Sequence, residues 1–256
     1  MKVKYYVFNP TQNITLLIET SVPVDVQPRV AARLMELEPL AEQVGFVEGT
    51  SLRMAGGEFC GNATMSAAVL NCIKNGITEN TLIKMRVSGV ESELNVKVAP
   101  QPDGSFTGTA DMPLPVSVEE KVFEFEGRSF RFPLIAFGGI VHLVDETGSL
   151  NPAEAEKAAK KWCCDLGADA LGIMFIDGSK TSLTPLVYAK NAGTLFWERS
   201  CASGTAAVGN YLAKKEQKPV DLTFAEPGGT LQVFSDGKKT ELTGTVRLVK
   251  ECEIEL

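Results

Sequence analysis

Apolar and polar residues alternate with a period of two over much of this chain, and the alternation gives way to helical spacing at four places. Residues 2–8 and 14–19 read as strands joined by a turn at Asn9-Pro10, and 27–38 as a helix with Val30, Leu34 and Leu37 on one face. Glu42-Gln-Val-Gly-Phe-Val47 leads into another strand, 51–54 forms the next, and Gly56-Gly57 turns the chain. A second helix is predicted from Cys60 to about Lys74, with Gly76 as its C-terminal stop. Residues 81–87 and 92–98 form a hairpin across Ser88-Gly89, and 105–112 is a further strand.

Pro113-Leu-Pro115 marks the expected boundary between a first domain (1–115, with a returning C-terminal strand at 251–256) and a second (116–250). The second opens with strands at 122–125 and 129–134, turning at Glu126-Gly127, and a strand-and-turn segment at 137–144. Asn151-Pro152 is a helix cap followed by proline at the first helical position, and the helix is expected to reach about Trp162. Strands at 171–176, 184–188 and 194–198 deliver the chain to Cys201, which opens a helix to about Lys215. A turn at 226–229 and strands at 230–234, 244–250 and 252–256 complete the pattern. Each half is a run of strands around a helix. The fold class expected is therefore α+β, two related domains with a cleft between them.

The two halves share a motif. Phe59-Cys-Gly-Asn-Ala-Thr-Met-Ser-Ala-Ala68 and Ser200-Cys-Ala-Ser-Gly-Thr-Ala-Ala-Val-Gly209 both place a cysteine before small residues, then a threonine, then apolar helix formers. Cys60 pairs with Cys201, Asn62 with Ser203 and Thr64 with Thr205. A helix N-terminus carries unpaired N–H groups and about half a unit of positive charge. A thiol there is expected to have its pKa lowered from about 8.5 toward neutrality, and the same N–H groups can hold a carboxylate. Two such helix starts gripping one carboxylate would put a sulfur on each face of the adjacent carbon. One would take the α-proton and the other return a proton to the opposite face, which is a two-base racemase or epimerase that needs no cofactor.

Composition narrows the alternatives. The net charge of −7, without a block of Lys or Arg, argues against nucleic acid as a partner. No apolar run approaches membrane-spanning length, and the first residues lack a signal peptide's long apolar core, so a cytoplasmic protein is expected. The six cysteines include no C-x-x-C, and His142 is the only histidine, so a Cys/His metal site is not expected. Cys72, Cys163, Cys164 and Cys252 read as small core residues. The partners expected are a small-molecule amino-acid substrate and, at most, a second copy of the chain in a homodimer.

Cys60-Gly-Asn-Ala63, Cys201-Ala-Ser-Gly204 and Pro227-Gly-Gly229 resemble the C-G-N-G, C-G-T-G or C-G-S-G, and P-G-G segments of the diaminopimelate epimerase superfamily of cofactor-independent racemases. The resemblance covers nearly the whole chain and implies two pseudo-symmetric α/β-rolls, each a mixed or antiparallel sheet wrapped around a central helix, with the active site in the cleft between them. It implies Cys60 and Cys201 as the catalytic acid/base pair. Diaminopimelate itself fits poorly. The asparagine of the family's G-N-P-H is Ile140 here, and that of R-V-N-V-G-F is Ala170, so a polar substrate end would be left unpaired.

Other segments are similar to the histidine racemases of staphylopine biosynthesis. Those carry G-N-E-F-C-G-N-A-T-M-S, W-E-N-S-C-G-S-G-T-A, E-Q-V-G-F and Q-P-G-G, against Gly56–Ser66, Trp197–Ala206, Glu42–Phe46 and Glu226–Gly229 here. Histidine is the leading substrate on that likeness, with Arg199 and Ala202 as departures that leave room for another side chain.

The backbone amides of Gly61, Asn62, Ala202 and Ser203 are candidates for holding the substrate carboxylate. Asn13, Gln43 and Glu198 are candidates for the ammonium and pocket wall, and Glu42 for an imidazole ring. Arg199 reads equally as a carboxylate ligand and as a surface ion-pair residue. His142 reads as a core histidine without a role. Two other readings stay open: an isomerase of another small acid, since proline racemase also pairs C-G-H-G with C-G-T-G, and a carboxylate-binding protein without turnover.

Overall fold

In the computed structural model, which describes residues 1–191 and 193–255, the chain divides into two compact units. The first comprises Met1–Asp111 and the segment from 243 to the C-terminal end; the second is Met112–Leu242. Leu256, the last residue of the strand predicted at 252–256, lies outside the described residues.

In the first unit, strands β1 (Lys2–Pro10), β2 (Thr15–Ile18), β3 (Gln43–Glu48), β4 (Ser51–Met54), β5 (Thr81–Val87), β6 (Leu94–Pro100) and β7 (Phe106–Met112) follow one another in spatial order. The last strand of the chain, β16 (Thr240–Glu255), neighbours β7 and also pairs antiparallel with β1. The strands therefore close into a barrel, which removes both sheet edges. The sheet is mixed, with β2–β3 and β4–β5 parallel. Helix α1 (Gln27–Leu37) sets Val30, Ala31 and Leu34 against Val3, Tyr5, Val7, Leu16, Ile18, Val44 and Phe46. The alternate residues Tyr6 and Phe8 of β1 are also buried, so that strand is covered on both faces. Helix α2 (Gly61–Lys74) is buried from Gly61 through Leu70 and at Cys72, and packs against β1, β2, β3, β5 and β6. Its small, apolar composition permits burial all round.

The second unit holds a six-stranded sheet in the order β13-β12-β11-β10-β9-β8. Its members are β8 (Ser117–Phe125), β9 (Arg128–Ala136), β10 (Val141–Asp145), β11 (Ala170–Ile176), β12 (Leu183–Ala189) and β13 (Thr194–Trp197). Among the described residues, β10–β11 is the one parallel pairing of this sheet, joined by helix α3 (Pro152–Leu166). Asn151 and Glu154 form a reciprocal capping box at its start, and Gly167 ends it in the left-handed conformation. Trp162 of α3 is fully buried among Phe123, Phe125, Phe130 and Phe132. Helix α4 (Ala202–Glu216) packs against β9, β10 and β11 and against the hairpin of β14 (Val220–Glu226) and β15 (Gly229–Ser235).

Three elements differ from the sequence expectation. The alternation Val220-Asp-Leu-Thr-Phe224, to which no element was assigned from sequence, forms β14. β8 begins at Ser117, five residues before the expected start, because its first residues pair with β9. The two strands expected at 244–250 and 252–256 are one, because β1 pairs through the polar stretch, Tyr6 with Glu251 and Tyr5 with Cys252.

Candidate functional site

Both cysteines singled out above occupy the N-cap of a helix with matching backbone, although only the Cys60 side chain accepts a first-turn N–H. Cys60 precedes α2 with φ −138° and ψ 114°, and Cys201 precedes α4 with φ −129° and ψ 100°. The Thr64 hydroxyl donates to the Cys60 carbonyl at 2.7 Å and the Thr205 hydroxyl to the Cys201 carbonyl at 2.8 Å. The N–H groups of the same threonines reach the same carbonyls, each at 2.9 Å. In each helix the amides of the first three residues have no acceptor within the helix, as geometry requires. Those are Gly61, Asn62 and Ala63 in α2 and Ala202, Ser203 and Gly204 in α4.

In the first unit a chain of side chains leads away from Cys60. Its thiol donates to Gln43 Oε1 at 2.9 Å and accepts from the Ala63 N–H at 3.4 Å. Gln43 Nε2 donates to Asn13 Oδ1 at 2.5 Å and to Thr15 Oγ1 at 2.8 Å, which fixes the amide with its oxygen toward the sulfur. Asn13 Nδ2 in turn donates to Glu42 Oε2 at 2.6 Å. Asn13 is buried on a loop where Thr11 and Gln12 both adopt positive φ, a conformation uncommon for residues with a Cβ. The Asn9 side chain, taking the Gln12 N–H at 2.6 Å, and the Pro10 carbonyl, taking the Asn13 N–H at 3.0 Å, hold that loop. Asn13, Glu42 and Gln43, named separately from sequence, are thus one network ending on the Cys60 sulfur. Asn62 Oδ1 is buried without a hydrogen-bond partner among the described residues.

In the second unit Cys201 is nearly inaccessible and its surroundings are acidic. The Glu198 carboxyl hydrogen-bonds its thiol, and Glu226 Oε2 accepts its N–H at 2.8 Å. Ser203 Oγ lies 3.7 Å from the sulfur and 3.0 Å from His142 Nε2. A Cβ at Gly204 would meet Met174 Sδ at 2.1 Å and the Cys201 sulfur at 3.2 Å, so the Met174 side chain would have to move to admit it. Arg199 donates to the Pro227 carbonyl at 3.1 Å and its own carbonyl takes the Gly228 N–H, so it braces the Pro227-Gly-Gly229 turn.

The expectation that a helix start lowers the thiol pKa does not hold at Cys201. Burial first, then the charges of Glu198 and Glu226, push it well above the ordinary thiol value. About half a unit of helix charge does not offset desolvation plus two carboxyls. Cys201 is therefore a protonated thiol in the unliganded chain. Burial and the neighbouring Glu198 also raise the Glu226 carboxyl to about 8. The sequence reading missed Glu226 as a site residue; its P-G-G context marked only a turn. It also gave His142 no role. That side chain is fully buried and held neutral, with its pKa lowered to about 3, and it contacts the helix start through Ser203.

Known proteins give this geometry a context. The family described as "Histidine racemase CntK N-terminal domain" matches residues 2–254. A histidine racemase of Fusobacterium nucleatum is 33% identical, covering 96% of this chain and 94% of its own. One of Staphylococcus aureus is 28% identical, with coverages of 96% and 95%. Among solved structures, a hydroxyproline epimerase of Agrobacterium vitis with bound trans-4-hydroxy-L-proline superposes with a TM-score of 0.71 at 12% identity, covering 100% of this chain and 93% of that one. A phenazine biosynthesis protein of the PhzF family from Enterococcus faecalis superposes at 0.66 and 15%, with full coverage of both. These structures share the α+β fold with a closed barrel and a second sheet. No helix among the described residues is long and apolar enough to cross a membrane.

Proposed function

Because the chain belongs to the histidine racemase CntK family and is thereby an isomerase of amino acids, we propose that it interconverts L- and D-histidine by passing the α-proton between two thiols, Cys60 and Cys201, without a cofactor. In one direction a Cys60 thiolate removes the α-proton, the electron pair delocalises into the carboxylate, and the Cys201 thiol delivers its proton to the opposite face. The enzyme is left with its two protonation states exchanged, and the reverse direction restores them. The first-turn amides of Gly61, Asn62, Ala202 and Ser203 stabilise the charge that develops on the carboxylate. Asn13, Gln43 and Glu198 receive the ammonium group and Glu42 the imidazole.

The observation that carries this reading is a cysteine at the N-cap of both helix starts, with the same extended backbone and the same threonine bond back to its carbonyl, in a chain of this family. The raised pKa of Cys201 supports it as the proton donor in the direction in which Cys60 takes the α-proton. The burial of α2 in the barrel and of α4 under its strands supports reading the units as related rolls, each around its own helix.

The test is exchange of the α-proton in heavy water under reducing conditions, with L-histidine and a panel of amino acids. Exchange with histidine ahead of the panel is the expected result. Exchange only with another amino acid would move the substrate, and exchange with none would remove the racemase reading.

A further inference from the structure

Glu226 ends β14 against the first turn of α4, and the hydrogen-bond count there does not close if its carboxyl is ionised. Oε2 takes the Cys201 N–H at 2.8 Å. Oε1 lies 2.5 Å from Thr205 Oγ1, which itself lies 2.8 Å from the Cys201 carbonyl. A hydroxyl has one proton, and both neighbours of Thr205 Oγ1 would be acceptors. The equivalent helix start settles which bond is intrinsic. Thr64, which has no hydrogen bond to an acid among the described residues, gives its proton to the Cys60 carbonyl at 2.7 Å. If Thr205 does the same, the short contact needs a proton on Glu226.

We propose that Glu226 is a positioning residue for Cys201 that works as the neutral acid, accepting the Cys201 N–H and donating to Thr205, and that its ionisation prevents Cys201 from becoming a thiolate. This rests on reading Cys201 as an acid/base thiol. An ionised Glu226 would place a buried negative charge beside the sulfur, in addition to the half-buried Glu198, and would consume the positive potential of the helix start that favours both a thiolate and a substrate carboxylate.

The groups that face Glu226 agree with a neutral form. The segment entering α4 presents the Cys201 thiol, the Glu198 carboxyl, and Arg199, whose guanidinium binds the next carbonyl, that of Pro227. The first turns of α4 and all of β15 carry no ionisable side chain. In β12 only Tyr188 ionises, at the far end of the strand from Ser182, which bridges Ala225. His142 approaches the same helix start at Ser203 and is neutral. Burial of the Glu226 carboxyl, with its pKa near 8, is consistent with that count.

The test compares wild type with Glu226→Gln and Glu226→Ala. Glutamine reproduces the acid's pattern, with its carbonyl accepting from Cys201 N–H and its amide donating to Thr205, but it cannot ionise. The wild-type racemisation rate is expected to fall above about pH 8, by about tenfold per pH unit. In Glu226→Gln that fall should move up by more than one pH unit. Glu226→Ala, which leaves a buried N–H unpaired, should be at least about tenfold slower than Glu226→Gln at pH 7. The same alkaline profile in wild type and Glu226→Gln, or equal rates for the Gln and Ala variants, overturns the proposal. An infrared difference spectrum of wild type against Glu226→Gln at pH 6 decides the protonation state without reference to turnover. The carbonyl band of a protonated carboxylic acid is expected, and its absence overturns the proposal. If that band is present but no amino acid exchanges its α-proton, it is the racemase reading that fails, and with it the role assigned to Glu226, while the neutral acid stands.

Discussion

At the residue scale, the proposed chemistry rests on two sulfurs whose surroundings differ although their backbones match. Cys60 faces an amide oxygen, Gln43 Oε1, whereas Cys201 faces the carboxyls of Glu198 and Glu226. Cys60→Ala and Cys201→Ala should each lower racemisation at least about 10²-fold, the smaller end of what a positioned acid or base contributes. The thermal midpoint should stay within about 5 °C, since each removes one small buried group. Near-normal turnover in either variant would sink the two-thiol mechanism. His142 makes a separate prediction about stability. Its folded pKa, about 3, lies below the ordinary 6.5, so the unfolded chain takes up a proton before the folded one does. Stability contributed by this residue is present above pH 6.5 and is lost as pH falls toward 3. Urea midpoints measured across that range should fall more steeply for wild type than for His142→Gln, and parallel curves would contradict the assignment.

At the scale of elements, the parallel pair β10–β11 is where packing is tightest against that histidine. His142 pairs with Gly172, and a Cβ on residue 172 would come within 2.3 Å of Nδ1, a ring atom that cannot swing aside as a chain end can. Gly172→Ala should therefore destabilise by about 1–3 kcal/mol in urea titrations. His142→Ala in the same chain should recover part of that loss, and strict additivity of the two would show that the steric account is wrong. The helix starts were legible at this scale because a cysteine, small residues, threonine and an apolar run form a local pattern. β14 was given no element from sequence, although Val220, Leu222 and Phe224 alternate cleanly with Asp221 and Thr223.

At the scale of the whole molecule, the chain does not separate into units at one point. β16 starts in the second unit and from residue 243 onward belongs to the first, where it pairs with β1 from Lys2 to Pro10. A chain truncated after Leu242 should lose the strand that closes the barrel and expose the edges of β1 and β7, a condition that favours aggregation. Size-exclusion chromatography and circular dichroism should show aggregation or loss of cooperative unfolding, and a monodisperse, fully folded truncation would contradict the closure. A strand's register depends on its partner, and the partner lies at the other end of the chain.

What the sequence determined by itself were the features set by near neighbours along the chain. The two cysteine-led helix starts, the cap at Asn151 and the Gly76 helix stop all follow from capping chemistry and hydrophobic period, which act within a few residues. Only the tertiary structure decided what surrounds each sulfur. It joined Asn13, Glu42 and Gln43 into one hydrogen-bonded chain ending on Cys60, and it buried Glu226 against the Cys201 N–H from 25 residues away. The pKa of a thiol is set by desolvation and by charges brought close in space, and folding brings those together independently of their order in the chain.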